Sequence, residues 1–178
     1  MSIRTVSSRV VYENPWLSVR EDRIEHLDGS GGLYSVVDKP DFAVVMPLQD
    51  NGFHLVEQYR YTVGKRSWEF PSGSFPPGVT GTVEEMAAAE LAEETGFVAG
   101  RMEELGYLHC ANGMSGVGAH VFLATDLTGG EPHREATEQD MRQRWFSRAE
   151  VEDMVRGGVI TDGPTLAAYL MWTLRGVG

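Results

Sequence analysis

The sequence predicts an α+β fold in which helices flank a mixed β-sheet. The chain has 178 residues, 42% of them hydrophobic, which is enough for one sizeable domain with a small extension. Apolar segments with strand-like patterns are separated by turn residues, and the helical segments open with capping residues. Because strands and helices do not alternate strictly, the pattern favours a mixed sheet over a doubly wound parallel one.

The first 70 residues are predicted to be mostly β-structure. The expected strands share alternating or continuous apolar residues and span 10–12, 17–27, 33–37, 42–48, 53–59 and 67–70. Two turn signals punctuate them, namely the Gly-rich segment 28–32 and the tripeptide Asp50-Asn51-Gly52.

A loop rich in Pro and Gly over 71–81 leads into the first predicted helix. Thr82 has the side chain of an N-cap, and Glu85 three residues later completes a capping box. The helix is expected to run to Thr95, where Gly96 ends it.

The remainder of the chain is predicted to contain three more strands and two more helices. The strands are expected at 101–110, 118–127 and 142–146, with a polar loop over 129–138. Ser147 is expected to cap a helix that ends near Gly157, and the last helix is expected to open at Asp162 or Gly163. On that last helix one apolar side is expected to pack in the core, formed by Leu166, Leu170 and Leu174.

Charge and composition limit the classes of function. Lys+Arg 15 against Asp+Glu 26 gives a net charge of −11, which argues against general binding to nucleic acids or anionic membranes but not against a small anionic substrate. Cys110 is the single cysteine, so an intrachain disulfide is excluded. The first eleven residues lack the apolar run of a signal peptide, and a cytoplasmic protein is predicted.

Three carboxylates on the first helix are the strongest indication of chemistry. Glu90 is three and four residues from Glu93 and Glu94, so all three lie close together on a helix and repel one another. Oxygen ligands of this kind suit a hard divalent cation such as Mg²⁺. A solvated acidic helix face is the alternative, but the preceding strand over 67–70 and the Pro/Gly-rich loop favour an organised site.

The helix sequence resembles the signature of the Nudix hydrolase family, whose second half reads Arg-Glu-aliphatic-x-Glu-Glu-x-Gly-aliphatic. The corresponding run here is Ala89-Glu90-Leu91-Ala92-Glu93-Glu94-Thr95-Gly96-Phe97. Two features depart from the signature: Ala89 stands where the family has Arg, and the first family Glu falls at Val79 or Gly81. The resemblance therefore implies a degenerate box with weaker metal binding or a lower rate.

Other segments are similar to the branch of that family that cleaves ADP-ribose and related nucleotide sugars. They are 11–19, 58–60, 68–73 and 158–165. The resemblance implies a Nudix-like α/β/α sandwich with a mixed sheet, formed by 39–178. It also implies a small N-terminal β-region over 1–38, of a kind that exchanges across a homodimer.

The resemblance assigns roles to individual residues. Glu90, Glu93, Glu94 and the carbonyl of Ser72 are implied as ligands of Mg²⁺, with Mn²⁺ as an alternative, and Glu93 and Glu94 are also counted as catalytic. A base is implied in the loop 129–138, where Glu138 is preferred over the other carboxylates, Glu131 and Glu135.

The same comparison suggests residues that hold the substrate. Arg60 and Arg66 are implied to bind phosphate, and Glu69 to pair with an Arg or a ribose hydroxyl. Three aromatic residues are open to either base stacking or packing in a core or dimer interface, with packing favoured for the first and last: Trp16, Tyr34 and Trp68.

Three functions follow from this reading. The first is Mg²⁺-dependent hydrolysis of the diphosphate in ADP-ribose or another nucleotide sugar, giving a nucleoside monophosphate and a sugar phosphate. The second is a degenerate domain that binds a nucleotide without turnover. The third is a stable scaffold with a vestigial acidic helix, against which the retention of all three carboxylates argues.

Overall fold

The computed structural model describes residues 3–134 and 139–176, and the elements below refer to those residues. The strands are β1 Ile3–Asn14, β2 Leu17–His26, β3 Gly31–Asp38, β4 Phe42–Gln49, β5 Gly52–Arg60, β6 Lys65–Glu69, β7 Ser72–Gly73, β8 Val98–His109, β9 Gly118–Thr128 and β10 Arg142–Ser147. The helices are α1 Val83–Thr95, α2 Arg148–Arg156 and α3 Gly163–Leu174.

The chain forms two compact units, of which the first consists of Met1–Asp41 and His109–Gly118. Its sheet has the order β1-β2-β3, and both strand pairs are antiparallel. β1 begins at Ile3, seven residues before the predicted start, because it pairs with β2 along its whole length. Alternation of small polar and apolar residues over 3–9 is too weak a pattern to have indicated this part of the strand.

The second unit consists of Phe42–Leu108 and Ala119–Gly178, and contains the larger sheet. The strand order is β10-β5-β4-β9-β8, with β6 added to β5 and β7 to β4. β4 and β9 run parallel, with Val44 opposite Val121, whereas β5 pairs antiparallel with both β6 and β10. The sheet is therefore mixed, as the sequence predicts.

The β4–β5 hairpin closes through a two-residue turn. Asp50 and Asn51 have φ angles of 50° and 56°, and Gln49 pairs with Gly52 on the other side. Positive φ at both central residues is the requirement of the type I′ turn, which matches the twist of the flanking strands. A side chain at Gly52 would collide with the ring of Trp145 at 2.4 Å, so this glycine is needed for packing as well.

The sheet of the second unit buries side chains on both faces. On one face, the strand residues Ala43, Val45, Phe122 and Ala124 pack against Met86, Ala87 and Leu91 of α1. The other face packs against α2 and α3, and its members include Val44, Met46, Phe53, Leu55, Phe70, Val121, Val151, Ala168 and Trp172. Helices on both sides of a sheet give the predicted α/β/α arrangement.

The buried side of α3 differs from the expected one. Leu170 and Leu174 are 57% and 76% exposed, whereas Thr165, Ala168 and Trp172 are buried. Leu166 is partly buried against the core, as predicted, but the prediction is wrong for Leu170 and Leu174. Because α3 carries apolar residues on several sides, hydrophobic spacing does not select the core face. Among the described residues, no helix combines the length and apolar character needed to span a membrane.

His54 on β5 is held between two glutamines and an aromatic ring. Its Nε2 lies 3.0 Å from Gln49 Oε1, and Gln143 Nε2 lies 3.3 Å from its Nδ1. The ring of Phe97 packs at a centroid distance of 4.5 Å. Burial lowers the pKa of the His54 imidazole below its ordinary value, and the charge of Asp50 offsets only part of that effect. The folded protein therefore favours neutral His54.

Acidification should destabilise the fold through this residue. The unfolded chain takes up a proton near pH 6.5, the ordinary value, and folded His54 does so at lower pH. His54 thus contributes full stability above pH 6.5 and loses it as pH falls through the folded pKa. Urea unfolding at about pH 7.5 and about pH 5.5 should show a larger drop for wild type than for His54→Gln. Equal drops in the two proteins would contradict the assignment.

Candidate active site

The acidic residues lie in the second half of α1, whose two ends are fixed by backbone chemistry. Thr82 accepts a hydrogen bond from the Glu85 backbone N–H, and the Glu85 side chain accepts one from the Thr82 backbone, so the predicted capping box is complete. Gly96 ends the helix with a φ of 74° and donates to the Ala92 carbonyl. The carboxylates therefore project from a helix with defined start and end.

Glu90 lies directly against the short strand β7. A Cβ atom added to Gly73 would lie 2.4 Å from Glu90 Oε2 and 2.5 Å from Glu90 Oε1. Gly73 is itself placed by pairing with Ala43 of β4. The absence of a side chain at this position makes the space that the Glu90 carboxylate occupies.

Glu94 approaches the same strand one helical turn later. Its side chain is 1% exposed, and the Ser72 backbone N–H donates to Glu94 Oε2 at 3.3 Å. The structure therefore brings Ser72, Glu90 and Glu94 together at β7. Glu93 is half-buried on the same turn, and its backbone carbonyl accepts a hydrogen bond from the His133 N–H at 3.0 Å.

Arg60 and Glu69 form an ion pair between β5 and β6. Arg60 Nε donates to both Glu69 oxygens at 3.0 Å, Arg60 Nη2 adds a shorter contact, and Glu69 is 2% exposed. Burial lowers the pKa of the Arg60 guanidinium, but Glu69, Asp162 and Glu94 together raise it above its ordinary value. The negative charge of Glu94 is among the causes of that shift, so Arg60 interacts electrostatically with Glu94.

Arg66 is hydrogen-bonded to Glu57 of β5 and to Asp140, which lies in a turn before β10. Its Nε donates to Glu57 Oε2 at 2.9 Å, and its Nη1 donates to Asp140 Oδ2 at 2.5 Å. Its Nη2 donates to the backbone carbonyls of both partners. Hydrogen bonds to Asp140 and Glu57 raise the pKa of the Arg66 guanidinium. Contact of Arg66 with a substrate phosphate would require it to exchange some of these partners.

The remaining predicted residues lie in different surroundings. Glu138 and Glu135 are outside the described residues, and Glu131 is exposed. Trp68 packs edge-on against Phe146 at 4.9 Å, on the margin of the core. In the N-terminal unit, Trp16 is 66% exposed, and the Tyr34 hydroxyl donates to the Gly113 carbonyl.

Arg134 is a residue that sequence reasoning did not single out. Its Nε donates to the Glu94 backbone carbonyl at 3.1 Å, and its Nη1 donates to the Met141 carbonyl at 2.5 Å. No local pattern signals such a contact, because the partners lie 40 and 7 positions away. Asp162, the N-cap of α3, was noted only as a helix start, yet its charge reaches Arg60.

The donor set fits a magnesium ion that is completed by substrate. Among residues 3–134 and 139–176, no group of three or more His, Cys, Asp or Glu side chains forms a ready metal centre. Mg²⁺ in phosphate chemistry is, however, usually held by one or two carboxylates together with substrate oxygens. Glu90 and Glu94 at the Ser72–Gly73 strand supply such carboxylates, and Gly73 leaves the room for one of them.

Gly73→Ala should separate function from stability. The new methyl group would displace the Glu90 carboxylate, which is the far end of a flexible side chain and can rotate away at little cost. We expect metal affinity and activity to fall about tenfold or more while the thermal midpoint changes little. Metal titration and thermal unfolding of the same preparation measure the two effects. Unchanged metal affinity would show that the position of Glu90 beside Gly73 is irrelevant to the site.

The arrangement of sheet and helices matches that of a solved structure. A solved structure described as the crystal structure of ADP compounds hydrolase superposes with a TM-score of 0.87, covering 100% of this chain and 97% of that one. The two sequences are 21% identical, so this likeness shows the fold alone. The α+β fold predicted from the sequence is thereby confirmed.

Family models assign the chain more closely. The model of the NUDIX domain matches residues 38–169, and that of the nucleoside diphosphate sugar hydrolase N-terminal domain matches residues 3–37. The chain belongs to the NUDIX domain family, and the resemblance inferred from residues 89–97 is confirmed.

Two curated relatives carry the same name. The ADP-ribose pyrophosphatase of Mycobacterium tuberculosis (strain ATCC 25618 / H37Rv) is 32% identical over 173 residues, which cover 93% of this chain and 81% of that protein. The ADP-ribose pyrophosphatase of Bacillus subtilis (strain 168) is 25% identical over 138 residues, which cover 77% and 74% of the two chains.

Proposed function

We propose that this protein hydrolyses the diphosphate linkage of ADP-ribose or a related nucleotide sugar, giving a nucleoside monophosphate and a sugar phosphate. The observation that carries the proposal is the buried Glu94 carboxylate at the Ser72 N–H, with Glu90 beside it against Gly73. Burying a carboxylate costs stability, so its retention in a helix turn argues for a chemical use. The names of the relatives add the substrate class.

The proposed metal ligands are Glu90, Glu93, Glu94 and the Ser72 carbonyl. Mg²⁺, or Mn²⁺ in its place, supplies charge neutralisation of the diphosphate and a more acidic water when it is bound. The protein contributes the position of each oxygen: β7 holds the Ser72 backbone, Gly73 leaves space for Glu90, and the Ser72 N–H orients Glu94.

The cationic part of the proposed site is Arg60. Glu69 fixes its guanidinium, and the Arg60 side chain as a whole is 39% exposed, so the residue is not closed off from a substrate. A guanidinium fork suits phosphate oxygens geometrically. Glu69 is proposed to hold Arg60 in place, and Arg66 to bind phosphate after releasing Asp140. Glu138 remains the proposed general base on the basis of the sequence.

The N-terminal unit is proposed to make the protein a homodimer. β1 is exposed along almost all of its length and carries apolar side chains that a monomer would leave in water, including Ile3, Val6, Val10 and Val11. An exposed strand that carries several apolar side chains is typical of an interaction surface. We further propose that segment 1–38 exchanges between subunits, 39–178 forms the hydrolase domain, and the enzyme works in the cytoplasm.

A substrate panel tests the proposal. Purified protein is incubated with ADP-ribose and other nucleotide sugars, with Mg²⁺ or with chelator, and nucleoside monophosphate is measured. Metal-dependent release of nucleoside monophosphate is expected with at least one nucleotide sugar. If the folded protein forms no product but a nucleotide raises its thermal midpoint, binding without turnover replaces hydrolysis as the function.

A further inference from the structure

The C-terminal end of α1 receives hydrogen bonds from a distant part of the chain. The last carbonyls of a helix lack partners within the helix. Here the Glu93 carbonyl accepts from the His133 N–H at 3.0 Å, and the Glu94 carbonyl accepts from Arg134 Nε at 3.1 Å. A Cβ atom at Gly96 would lie 2.3 Å from the Gly130 carbonyl oxygen, so segment 130–134 lies tightly over the helix end.

The guanidinium of Arg134 also compensates charge at this end. The negative pole of the helix dipole lies there, beside the carboxylates, and the last turn 92–95 has no basic residue of its own. Ala89 supplies no cation either. A partly buried guanidinium hydrogen-bonded to the terminal carbonyl is a favourable counter-charge in this geometry.

Arg134 ties the helix end to a second fixed point. Its Nη1 donates at 2.5 Å to the carbonyl of Met141, a residue that is 3% exposed and directly precedes β10. Two donors of one planar group thus hold two backbone carbonyls at a set separation. A Lys ammonium is a point charge on a flexible stem and lacks that fork.

We propose that Arg134 is a positioning residue, which fixes the last turn of α1 by bridging the Glu94 and Met141 carbonyls and thereby sets the carboxylates of Glu93 and Glu94 for a divalent cation. The inference rests on the proposed function in so far as those carboxylates bind metal. Arg134 lies outside the family signature, whose second half covers residues 89–97 here.

The test compares wild type with Arg134→Gln, Arg134→Lys and the control Arg101→Gln. Arg101 is 69% exposed on β8, and its replacement by Gln changes net charge by the same amount. Mn²⁺ affinity is measured by electron paramagnetic resonance of the free ion without substrate. Amide hydrogen exchange of segment 90–98 is measured without metal, which reports the helix end independently of binding.

We expect Arg134→Gln to speed exchange in this segment and to weaken Mn²⁺ binding about tenfold. Arg134→Lys should weaken binding although it keeps the charge, and Arg101→Gln should match wild type. Tighter Mn²⁺ binding by Arg134→Gln would overturn the proposal, because removal of a nearby positive charge alone predicts tightening. Unchanged exchange in Arg134→Gln would overturn it as well. If wild-type protein binds no Mn²⁺, the proposed metal-dependent function is wrong. The hydrogen-exchange result of Arg134→Gln then still tests whether Arg134 fixes the last turn of α1.

Discussion

Glu94→Gln is expected to reduce kcat about a thousandfold, which corresponds to about 4 kcal/mol of transition-state stabilisation. Glu94 is the most deeply buried of the three carboxylates on α1 and is oriented by the Ser72 N–H. Glutamine has nearly the same shape and can still accept that hydrogen bond. It lacks the negative charge that a divalent cation requires, so the loss of activity should come from the metal site and not from misfolding.

The metal-free thermal stability of Glu94→Gln, unlike its activity, should not fall below that of wild type. Removing a buried charge lowers the cost of burial, so the metal-free thermal midpoint of Glu94→Gln should equal or exceed that of wild type. Mg²⁺ should raise the midpoint of wild type and leave the variant unaffected. Turnover and thermal unfolding, each with Mg²⁺ or chelator, provide the two measurements.

Glu84→Gln is the matched control for this prediction. Glu84 lies on the first turn of α1, is exposed, and undergoes the same loss of one charge. Its variant should retain wild-type turnover and metal response. If both variants lost activity equally, the effect would belong to the charge of the helix as a whole, and the assignment of Glu94 would be wrong.

Arg60→Ala is expected to cost about 3 kcal/mol of unfolding free energy. The cost arises because Glu69, 2% exposed, would lose the guanidinium that binds both of its oxygens and would remain as a buried charge. The loss of unfolding free energy should lie at the lower end of the range for broken buried ion pairs, because the Arg60 side chain is 39% exposed. Urea denaturation of the metal-free protein measures the loss.

The double variant Arg60→Met with Glu69→Gln distinguishes this explanation from simple loss of packing. Replacing both partners removes the unpaired charge and keeps most of the volume, so much of the lost stability should return. A double variant as unstable as Arg60→Ala would show that the ion pair is not the cause. Catalysis should remain low in the double variant, since the proposed phosphate contact is absent.

Local signals in the sequence predicted α1 well and the ends of several strands poorly. The capping box at Thr82 and the glycine at 96 define α1 as Val83–Thr95, with the predicted N-cap residue and the predicted last residue. Such caps depend on neighbours three or four positions away and are visible in a sequence. By contrast, β8 begins at Val98 and not at the predicted Arg101, because strand limits follow from pairing with distant partners.

The candidate site shows the same division. The carboxylates of α1 could be named from spacing and from the family signature, since all of them lie within five residues. The contact of Gly73 with Glu90 was beyond reach, because it depends on β7 pairing with β4. The Arg134 bridge likewise depends on where the segment before β10 crosses the helix end.

The parallel pairing of β4 with β9 has a consequence for folding during synthesis on the ribosome. Val44 finds its partner Val121 only after β9 has been synthesised, although α1 with its carboxylates emerges well before that. Non-local parallel pairing is slow, because a long segment must be ordered before the contact forms. A nascent chain therefore presents the acidic helix without the completed sheet beneath it. Hydrolysis should therefore begin only after β9, which ends at Thr128, has been made, and a product that terminates before Gly118 is expected to be inactive.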